Sequence, residues 1–152
     1  MIQWRRFLPI LIVFFSLVLP ISSEQAQKNN PCPDDVTQAE MNQCSAELHQ
    51  KADARLNMVY AKALDGIRED LREAVKEHDA DQQIYEQTAL RKLKAAERAW
   101  VQYRNLHCDA ERQKYEGGSM SPMIWSDCMT LVTEHRIDEL KQAYEEDYRK
   151  LE

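Results

Sequence analysis

The amino-acid sequence predicts an all-α fold: an antiparallel helical hairpin plus a shorter third helix, stapled by two disulfides. Apolar residues recur every three or four positions over long stretches, and no stretch after the N-terminal segment alternates polar and apolar residues as a strand does. Glycine and proline number only 3 and 5 in 152 residues, too few for a loop-rich β-sandwich. The 4 cysteines form an even number, as disulfide pairing in an exported chain requires.

Composition and charge exclude several classes of protein. Hydrophobic residues make up 43% and charged residues 30% of the chain, a balance that suits one domain with its own core. The formal net charge is −6, from 20 basic and 26 acidic side chains, which disfavours binding to nucleic-acid phosphates. The absence of a glycine-rich phosphate loop and of a Cys-x-x-Cys pair argues against P-loop, Rossmann, zinc-ribbon and c-type haem proteins.

Residues 1–23 are predicted to be a secretory signal peptide. Arg5 and Arg6 form a short basic start, residues 7–19 form an apolar run, and cleavage is expected after Ser23. The apolar run would extend only about 20 Å as a helix, short of the roughly 30 Å hydrocarbon core of a bilayer. Loss of the two arginines takes the net charge from −6 to −8.

The mature protein is therefore expected in the periplasm or outside the cell, with no stable membrane anchor. Residues 24–36 are interpreted as a polar, extended leader, and residues 37–152 as the helical domain. Cys32 is not preceded by the small-residue motif of a lipid-modified cysteine, so a lipid anchor is not expected.

A long first helix is predicted from about residue 38 to about residue 77. Thr37 and Glu40 have the spacing of a capping box, in which each side chain caps the other residue's backbone. Gly66 is the expected place of a bend or break. The apolar stripe of this helix comprises Met41, Cys44, Leu48, Ala52, Leu56, Val59, Ala63, Ile67, Leu71 and Val75.

Two further helices are predicted, separated from the first by a turn at residues 78–81, where Asp79 or Asp81 is the expected N-cap. The second runs from about residue 82 to residue 115, and a loop at residues 116–122 leads into the third, near Pro122. The second stripe comprises Ala89, Leu93, Ala96, Trp100, Tyr103, His107 and Ala110. The third comprises Ile124, Cys128, Leu131, Val132, Ile137, Leu140, Tyr144 and Tyr148.

The cysteine spacing favours sequential pairing. Folding the chain at the Gly117-Gly118 pair brings Cys108 and Cys128 side by side, and Cys32 would then pin the leader to Cys44. The competing arrangement joins Cys44 to Cys108 or to Cys128, because the first helix begins where the second ends. Spacing alone leaves both arrangements open.

The order of motifs resembles the lysozyme inhibitor LprI family of small secreted bacterial proteins, over about residues 32–144. The residues that carry the resemblance are Cys32, the Thr-Gln-x-Glu cap, Cys44, Ala52-Asp53-x-x-Leu56-Asn57-x-x-Tyr60, Leu93-x-x-Ala96-x-Arg98-Ala99-Trp100-x-x-Tyr103-Arg104-x-x-x-Cys108, Gly117-Gly118-Ser119, Cys128 and Thr133-x-x-Arg136. Family members usually carry Gln where this chain has Glu97. The resemblance implies a secreted protein that binds and inhibits a lysozyme.

The motif residues of the helices are expected to be structural. Trp100 and Tyr103 lie on the predicted seam of the second helix, and Arg104 is expected to pair with a first-helix carboxylate such as Asp53. A recognition surface is the alternative, because Trp, Tyr and Arg dominate binding hot spots. The remaining structural candidates are Leu56, Asn57, whose amide could reach the second helix, Tyr60 and Arg136.

The loop at residues 116–122 is the candidate site for a protein partner. Its residues Glu116, Gly117, Gly118 and Ser119 form a tip with little side-chain bulk, so it can approach a partner's backbone closely. Met120, Met123 and Trp125 flank it and offer adaptable apolar contact. The alternative is an interhelical turn that only needs a positive φ angle.

No cofactor, metal or catalytic residue is expected. A zinc site built from Cys108, Cys128, His107 and His135 is disfavoured, because cysteines of an exported protein are expected to be oxidised together. The leading expectation is a stoichiometric, non-enzymatic binding protein that acts on a basic c-type lysozyme and binds neither nucleic acid nor membrane. The alternative is an envelope adaptor or structural protein-interaction module without inhibitory activity.

Overall fold

The computed structural model describes residues 32–33 and 36–144. Three helices follow one another: α1 (Gln38–Lys76), α2 (Ala80–Gln113) and α3 (Ser121–Ala143). The described residues contain no strand, and the all-α prediction is confirmed. None of the described helices combines the length and apolar character needed to cross a bilayer. The predicted signal peptide, most of the predicted leader and Tyr148 lie outside the described residues.

The capping box predicted at the start of α1 is present. The Thr37 hydroxyl accepts a hydrogen bond from the Glu40 backbone N–H at 3.3 Å, and the Glu40 carboxylate accepts one from the Thr37 backbone N–H at 2.8 Å. The Thr37 hydroxyl also donates to that carboxylate at 2.7 Å. These bonds lower the pKa of Glu40, because they favour its charged form.

Helix α1 continues through Gly66 without the break that the sequence allowed for. Its 39 residues form one α-helix, and Gly66 lies on the buried face beside Ile67. A glycine in a helix interior costs about 1 kcal/mol relative to alanine. Packing of the α1 face against the other helices outweighs that cost, because tertiary contacts dominate helix stability in proteins.

The turn between α1 and α2 is a Schellman motif with a histidine at the left-handed position. His78 has φ 61°, and the backbone N–H groups of His78 and Asp79 donate to the carbonyls of Val75 and Ala74. The Asp79 carboxylate then caps α2 by accepting from the Gln82 N–H at 3.0 Å, so Asp79 rather than Asp81 is the N-cap. As a result α2 begins at Ala80, two residues earlier than predicted.

The apolar core lies mainly between α1 and α3, which make the most extensive of the three helix pairings. The predicted α1 stripe is buried from Ala52 to Ile67, whereas Val75 near its end is exposed and Ala74 is buried instead. On α3, Leu131 is exposed, contrary to the prediction. The central cluster comprises Leu56, Val59, Ala63, Leu64, Ile67, Leu93, Ile137 and Leu140.

The predicted seam of α2 is only partly correct: Leu93 is buried and Ala89 and Trp100 pack against the core, but other predicted positions turn outward. Ala96, Tyr103 and Ala110 were expected to be buried but are exposed. The face that points inward carries Glu86, Leu93, Glu97, Arg104 and Cys108. Hydrophobic periodicity did not predict this face, because Arg104 and Glu97 turn inward to pair with oppositely charged side chains on the neighbouring helices.

Both disulfides pair sequentially, as the cysteine spacing favoured. Cys32 is bonded to Cys44 and Cys108 to Cys128, with Cα–Cα distances of 5.9 Å and 5.6 Å. The Cys32–Cys44 bridge ties the predicted leader to the second turn of α1. The second joins the last turns of α2 to α3 across the loop, and Cys108 is fully buried.

Removal of Cys108–Cys128 is expected to destabilise the fold more than removal of Cys32–Cys44. The Cys108–Cys128 bridge spans 20 residues and the Cys32–Cys44 bridge spans 12. A longer closed loop restricts the unfolded chain more. The variant Cys108→Ala/Cys128→Ala should lose about 3 kcal/mol of unfolding free energy in urea titrations while keeping its helical circular dichroism. An equal or larger loss in Cys32→Ala/Cys44→Ala would contradict this ranking.

Candidate functional site

The loop between α2 and α3 (residues 114–120) is an exposed, ordered turn. Backbone hydrogen bonds run from the Gly118 N–H to the Tyr115 carbonyl at 3.0 Å and from the Ser121 N–H to the Gly118 carbonyl at 3.2 Å. Gly117 has φ 78°, a conformation that side chains with a Cβ rarely adopt. A Cβ on Gly118 would lie 3.3 Å from the Tyr115 carbonyl oxygen. The turn therefore favours glycine at Gly117 through its backbone angle and at Gly118 through a close backbone approach.

Three contacts hold this loop against the rest of the molecule. The Cys108–Cys128 disulfide closes its base. The Asn42 side-chain amide of α1 donates to the Ser119 carbonyl at 3.0 Å, and the Trp125 indole N–H donates to the Asp109 carboxylate at 3.1 Å. Of these three, the Asn42 bond holds the loop directly, and the other two join α2 to α3 at its base, while the loop residues stay exposed.

A buried arginine of α2 contacts both of the other helices. Arg104 of α2 donates from Nη1 to the Asp53 carboxylate of α1 at 2.5 Å and to the Thr133 hydroxyl of α3 at 2.9 Å. Thr133 is completely buried, and Asp53 is 39% exposed at its side chain. The predicted Arg104–Asp53 pair is confirmed, whereas Thr133, a residue of the family motif, was not predicted as a partner of Arg104. The Nε of Arg104 is buried without a hydrogen bond.

His49 links this arginine to the surroundings of the loop. Its Nε2 lies 3.6 Å from the Asp53 carboxylate, too far for a hydrogen bond, and its ring meets Trp125 edge-on with 5.3 Å between centroids. Burial lowers the pKa of His49, an effect that Asp53 opposes and Arg104 reinforces. The ring is therefore held in its neutral form near pH 7.

A second buried pair lies farther along α2 and α3. Arg136 donates from Nε and Nη2 to one oxygen of Glu97, at 3.1 Å and 2.9 Å, and from Nη1 to Glu139. Burial works to lower the pKa of Arg136, but the hydrogen bonds to Glu97 and Glu139 outweigh it, so the pKa lies above its ordinary value. The guanidinium groups of Arg104 and Arg136 both lie over the Trp100 ring, 5.0 Å and 5.8 Å from its centroid.

The other motif residues divide between core and surface. Leu56 is buried and Trp100 and Tyr60 pack half-buried against the core, which fits the structural interpretation. Tyr103 is 56% exposed, so its assignment to the core is wrong, and it stacks instead on His107 along the outer face of α2. Asn57 is exposed and has no hydrogen bond within the described residues, so the predicted bridge to α2 does not form.

Two of the four residues considered as zinc ligands form a disulfide with each other. Cys108 and Cys128 are bonded to each other and offer no thiolate. Within residues 32–33 and 36–144, no three His, Cys, Asp or Glu side chains come close enough to hold a metal ion.

The combination of two sequential disulfides, a Gly-Gly-Ser turn and the Trp100–Arg104–Arg136 cluster agrees with a comparison against known families. The family described as "Lysozyme inhibitor LprI" matches residues 29–140. This chain belongs to the LprI family. A protein of Rhizobium meliloti (strain 1021), described only as uncharacterized, is 30% identical over 141 residues, which cover 93% of this chain and 96% of the relative. No solved structure matches the chain.

Replacement of Arg104 by methionine is expected to destabilise this LprI-family domain strongly. The change leaves the buried Thr133 hydroxyl without its donor and Asp53 without its counter-charge. Because Asp53 is partly exposed, a loss of about 2–3 kcal/mol in unfolding free energy is expected in urea titrations. The control is Arg68→Met, which removes an exposed pair with Asp65 and should cost less than about 1 kcal/mol. Similar losses in both variants would show that burial of the Arg104 pair contributes nothing.

The lowered pKa of His49 predicts a loss of stability in mild acid. Below its ordinary value of 6.5, the unfolded chain binds a proton at this position that the folded chain resists. Unfolding free energy should therefore fall as the pH decreases below 6.5, and His49→Gln should make that decline shallower. Urea titrations between pH 7.5 and pH 5 would measure it, with the exposed His135→Gln as the control. An unchanged slope in His49→Gln would refute the assignment.

Proposed function

We propose that this protein is a secreted, non-enzymatic inhibitor that binds a c-type lysozyme one-to-one through the loop between α2 and α3 (residues 114–120). Membership of the LprI family supports the class of activity. The observation that carries the choice of surface is the exposed loop, which three helices and a disulfide hold in place. In this proposal the loop covers or enters the glycan cleft of the enzyme, and the protein acts stoichiometrically, without catalytic turnover.

The fixed conformation of the loop supports its role as a binding element. A segment that is already ordered loses little conformational entropy when a partner binds, so more of the contact energy remains as affinity. The Gly117-Gly118 pair lets the backbone approach a partner closely. Glu116 and Ser119 flank that pair, and we assign the direct contacts to them.

The acidic charge supports fast encounter with a basic enzyme. The net charge is −6 for the whole chain and becomes −8 once the predicted signal peptide with Arg5 and Arg6 is removed. Charge complementarity of this kind raises association rates more than it deepens affinity. A catalytic group is not needed for this activity, and the buried Arg104–Asp53 and Arg136–Glu97 pairs serve the fold.

The alternative function is an envelope adaptor, and one feature favours it. Tyr103 and Leu106 are exposed by 56% and 62% on the outer face of α2, and both are large apolar side chains. Large exposed apolar residues are a common mark of protein–protein contact. In this case the partner would dock on α2 and the loop would serve only as a turn.

Inhibition by the oxidised protein comprising residues 24–152 is the deciding measurement. Residual activity of a c-type and a g-type lysozyme would be recorded against increasing amounts of the protein. We expect saturating inhibition of the c-type enzyme near one-to-one. No inhibition at a large excess would reject the inhibitor proposal and favour the adaptor.

The loop assignment is tested by a pair of variants that change the net charge equally. Glu116→Lys places a positive charge in the loop, whereas Glu77→Lys places it in the turn between α1 and α2. Both weaken long-range steering, but only the first is expected to weaken binding by tenfold or more, as loss of a hot-spot contact does. Equal effects of the two variants on the inhibition constant would rule out the loop as the contact surface.

A further inference from the structure

An open recess lies between α1 and α2, away from the loop. Its volume is about 390 Å³, near the lower end of the range of small-molecule sites. Tyr60 of α1 lines one side, and Lys94, Glu97, Arg98 and Val101 of α2 line the other. The exposed area of the lining is mostly apolar, so the few charged and polar side chains among the lining residues decide which ligand fits.

The two cations of the recess have no acidic partner. Lys94 and Arg98 make no hydrogen bond or ion pair with any of the described residues, although arginines elsewhere on the described helices are paired, such as Arg68 with Asp65 and Arg72 with Glu69. They stand four residues apart on one helix face, about 6 Å between Cβ atoms. Arg91 and Lys92, one turn earlier, are likewise unpaired among the described residues. A chain with an excess of acidic side chains thus leaves a short basic patch uncompensated.

The remaining polar groups of the recess do not cancel this positive charge. The Glu97 carboxylate is buried and already accepts two hydrogen bonds from Arg136. The Tyr60 phenol has a raised pKa, chiefly because of burial and then because of Glu97, so it keeps its proton and can donate a hydrogen bond. The recess therefore offers two cations, a neutral hydrogen-bond donor and apolar surface.

We propose that the recess lined by Tyr60, Lys94, Arg98 and Val101 is a binding site for an organic phosphate or carboxylate that carries an apolar or ring portion. The anionic group lies between Lys94 and Arg98, and the ring portion lies on Val101 and the Tyr60 ring. This site is independent of the loop, and it is not the surface through which a basic lysozyme would bind, because both partners would be positive there.

Chemical-shift titration of the ¹⁵N-labelled, oxidised protein would test the site. Phenyl phosphate is the probe, inorganic phosphate tests the anion alone, and benzyl alcohol tests the ring alone. We expect saturable shifts at the amides of Tyr60, Arg98 and Val101 with phenyl phosphate, and weaker binding of both partial probes. Inorganic phosphate that binds as tightly as phenyl phosphate would overturn the role of the apolar surface, and no saturable shift would overturn the site.

Matched variants distinguish binding in the recess from nonspecific attraction of an anion to the basic patch. Lys94→Gln and Arg98→Gln should each weaken phenyl phosphate about three- to fivefold, the range of a partly exposed ion pair. Arg91→Gln removes the same charge from the same patch but does not line the recess, and should leave affinity within twofold. A loss in Arg91→Gln equal to that in Arg98→Gln would overturn the proposal, because it would mean nonspecific charge attraction.

The source of the anion is resolved by a sedimentation assay with phosphatidylcholine vesicles, with and without phosphatidylglycerol. Pelleting that requires phosphatidylglycerol and is lost in Arg98→Gln but kept in Arg91→Gln would identify the ligand as a lipid headgroup. Phenyl phosphate binding without pelleting would identify it as a soluble anion. Pelleting that is lost equally in both variants would count against the recess as the site.

Discussion

The contact of Arg104 with Asp53 and Thr133 is the interaction on which the arrangement of the three helices depends. One guanidinium group from α2 reaches a carboxylate on α1 and a buried hydroxyl on α3. Apolar packing alone would allow α2 to rotate or slide against its neighbours, because hydrophobic contacts have little directionality. A directional polar contact specifies one register and one rotation, and here it turns charged residues of α2 inward.

The second pair, Arg136 with Glu97, repeats this arrangement farther along the bundle. Trp100 lies between the two pairs and receives both guanidinium groups over its ring. The indole thus shields the charges from solvent and gains a favourable interaction with them. The partner of Arg136 in this pair is a carboxylate, so both members of the pair are charged. A carboxylate makes stronger hydrogen bonds to arginine than an amide oxygen does.

The polar core also connects to the loop. His49 lies beside Asp53 and against Trp125, and Trp125 in turn bonds Asp109 near the base of the loop. The Cys108–Cys128 disulfide closes the same end of the molecule. The candidate contact surface is therefore held by a disulfide at its base and by side chains of α1 and α3. The recess between α1 and α2 is lined in part by Glu97 of the second pair and shares no residue with the loop.

Features set by neighbours along the chain were readable from the amino-acid sequence. The Thr37–Glu40 capping box, the buried stripe of α1 and the glycine turn of the loop follow from hydrogen bonds and backbone angles within a few residues. The sequential disulfides are nearly as local, because the Gly117-Gly118 turn brings Cys108 and Cys128 together. Family membership also followed from the order of such motifs.

The rotation of α2 was decided only by the packed structure. Periodicity placed Tyr103 inside and gave no inward role to Glu97, because a hydrophobicity pattern counts a charged residue as solvent-exposed. A buried charge is stable only when its partner is in place, and the partners Asp53, Thr133 and Arg136 come from other helices. The recess at Lys94 and Arg98 also depends on tertiary structure, because it forms only when α1 brings Tyr60 beside these residues of α2.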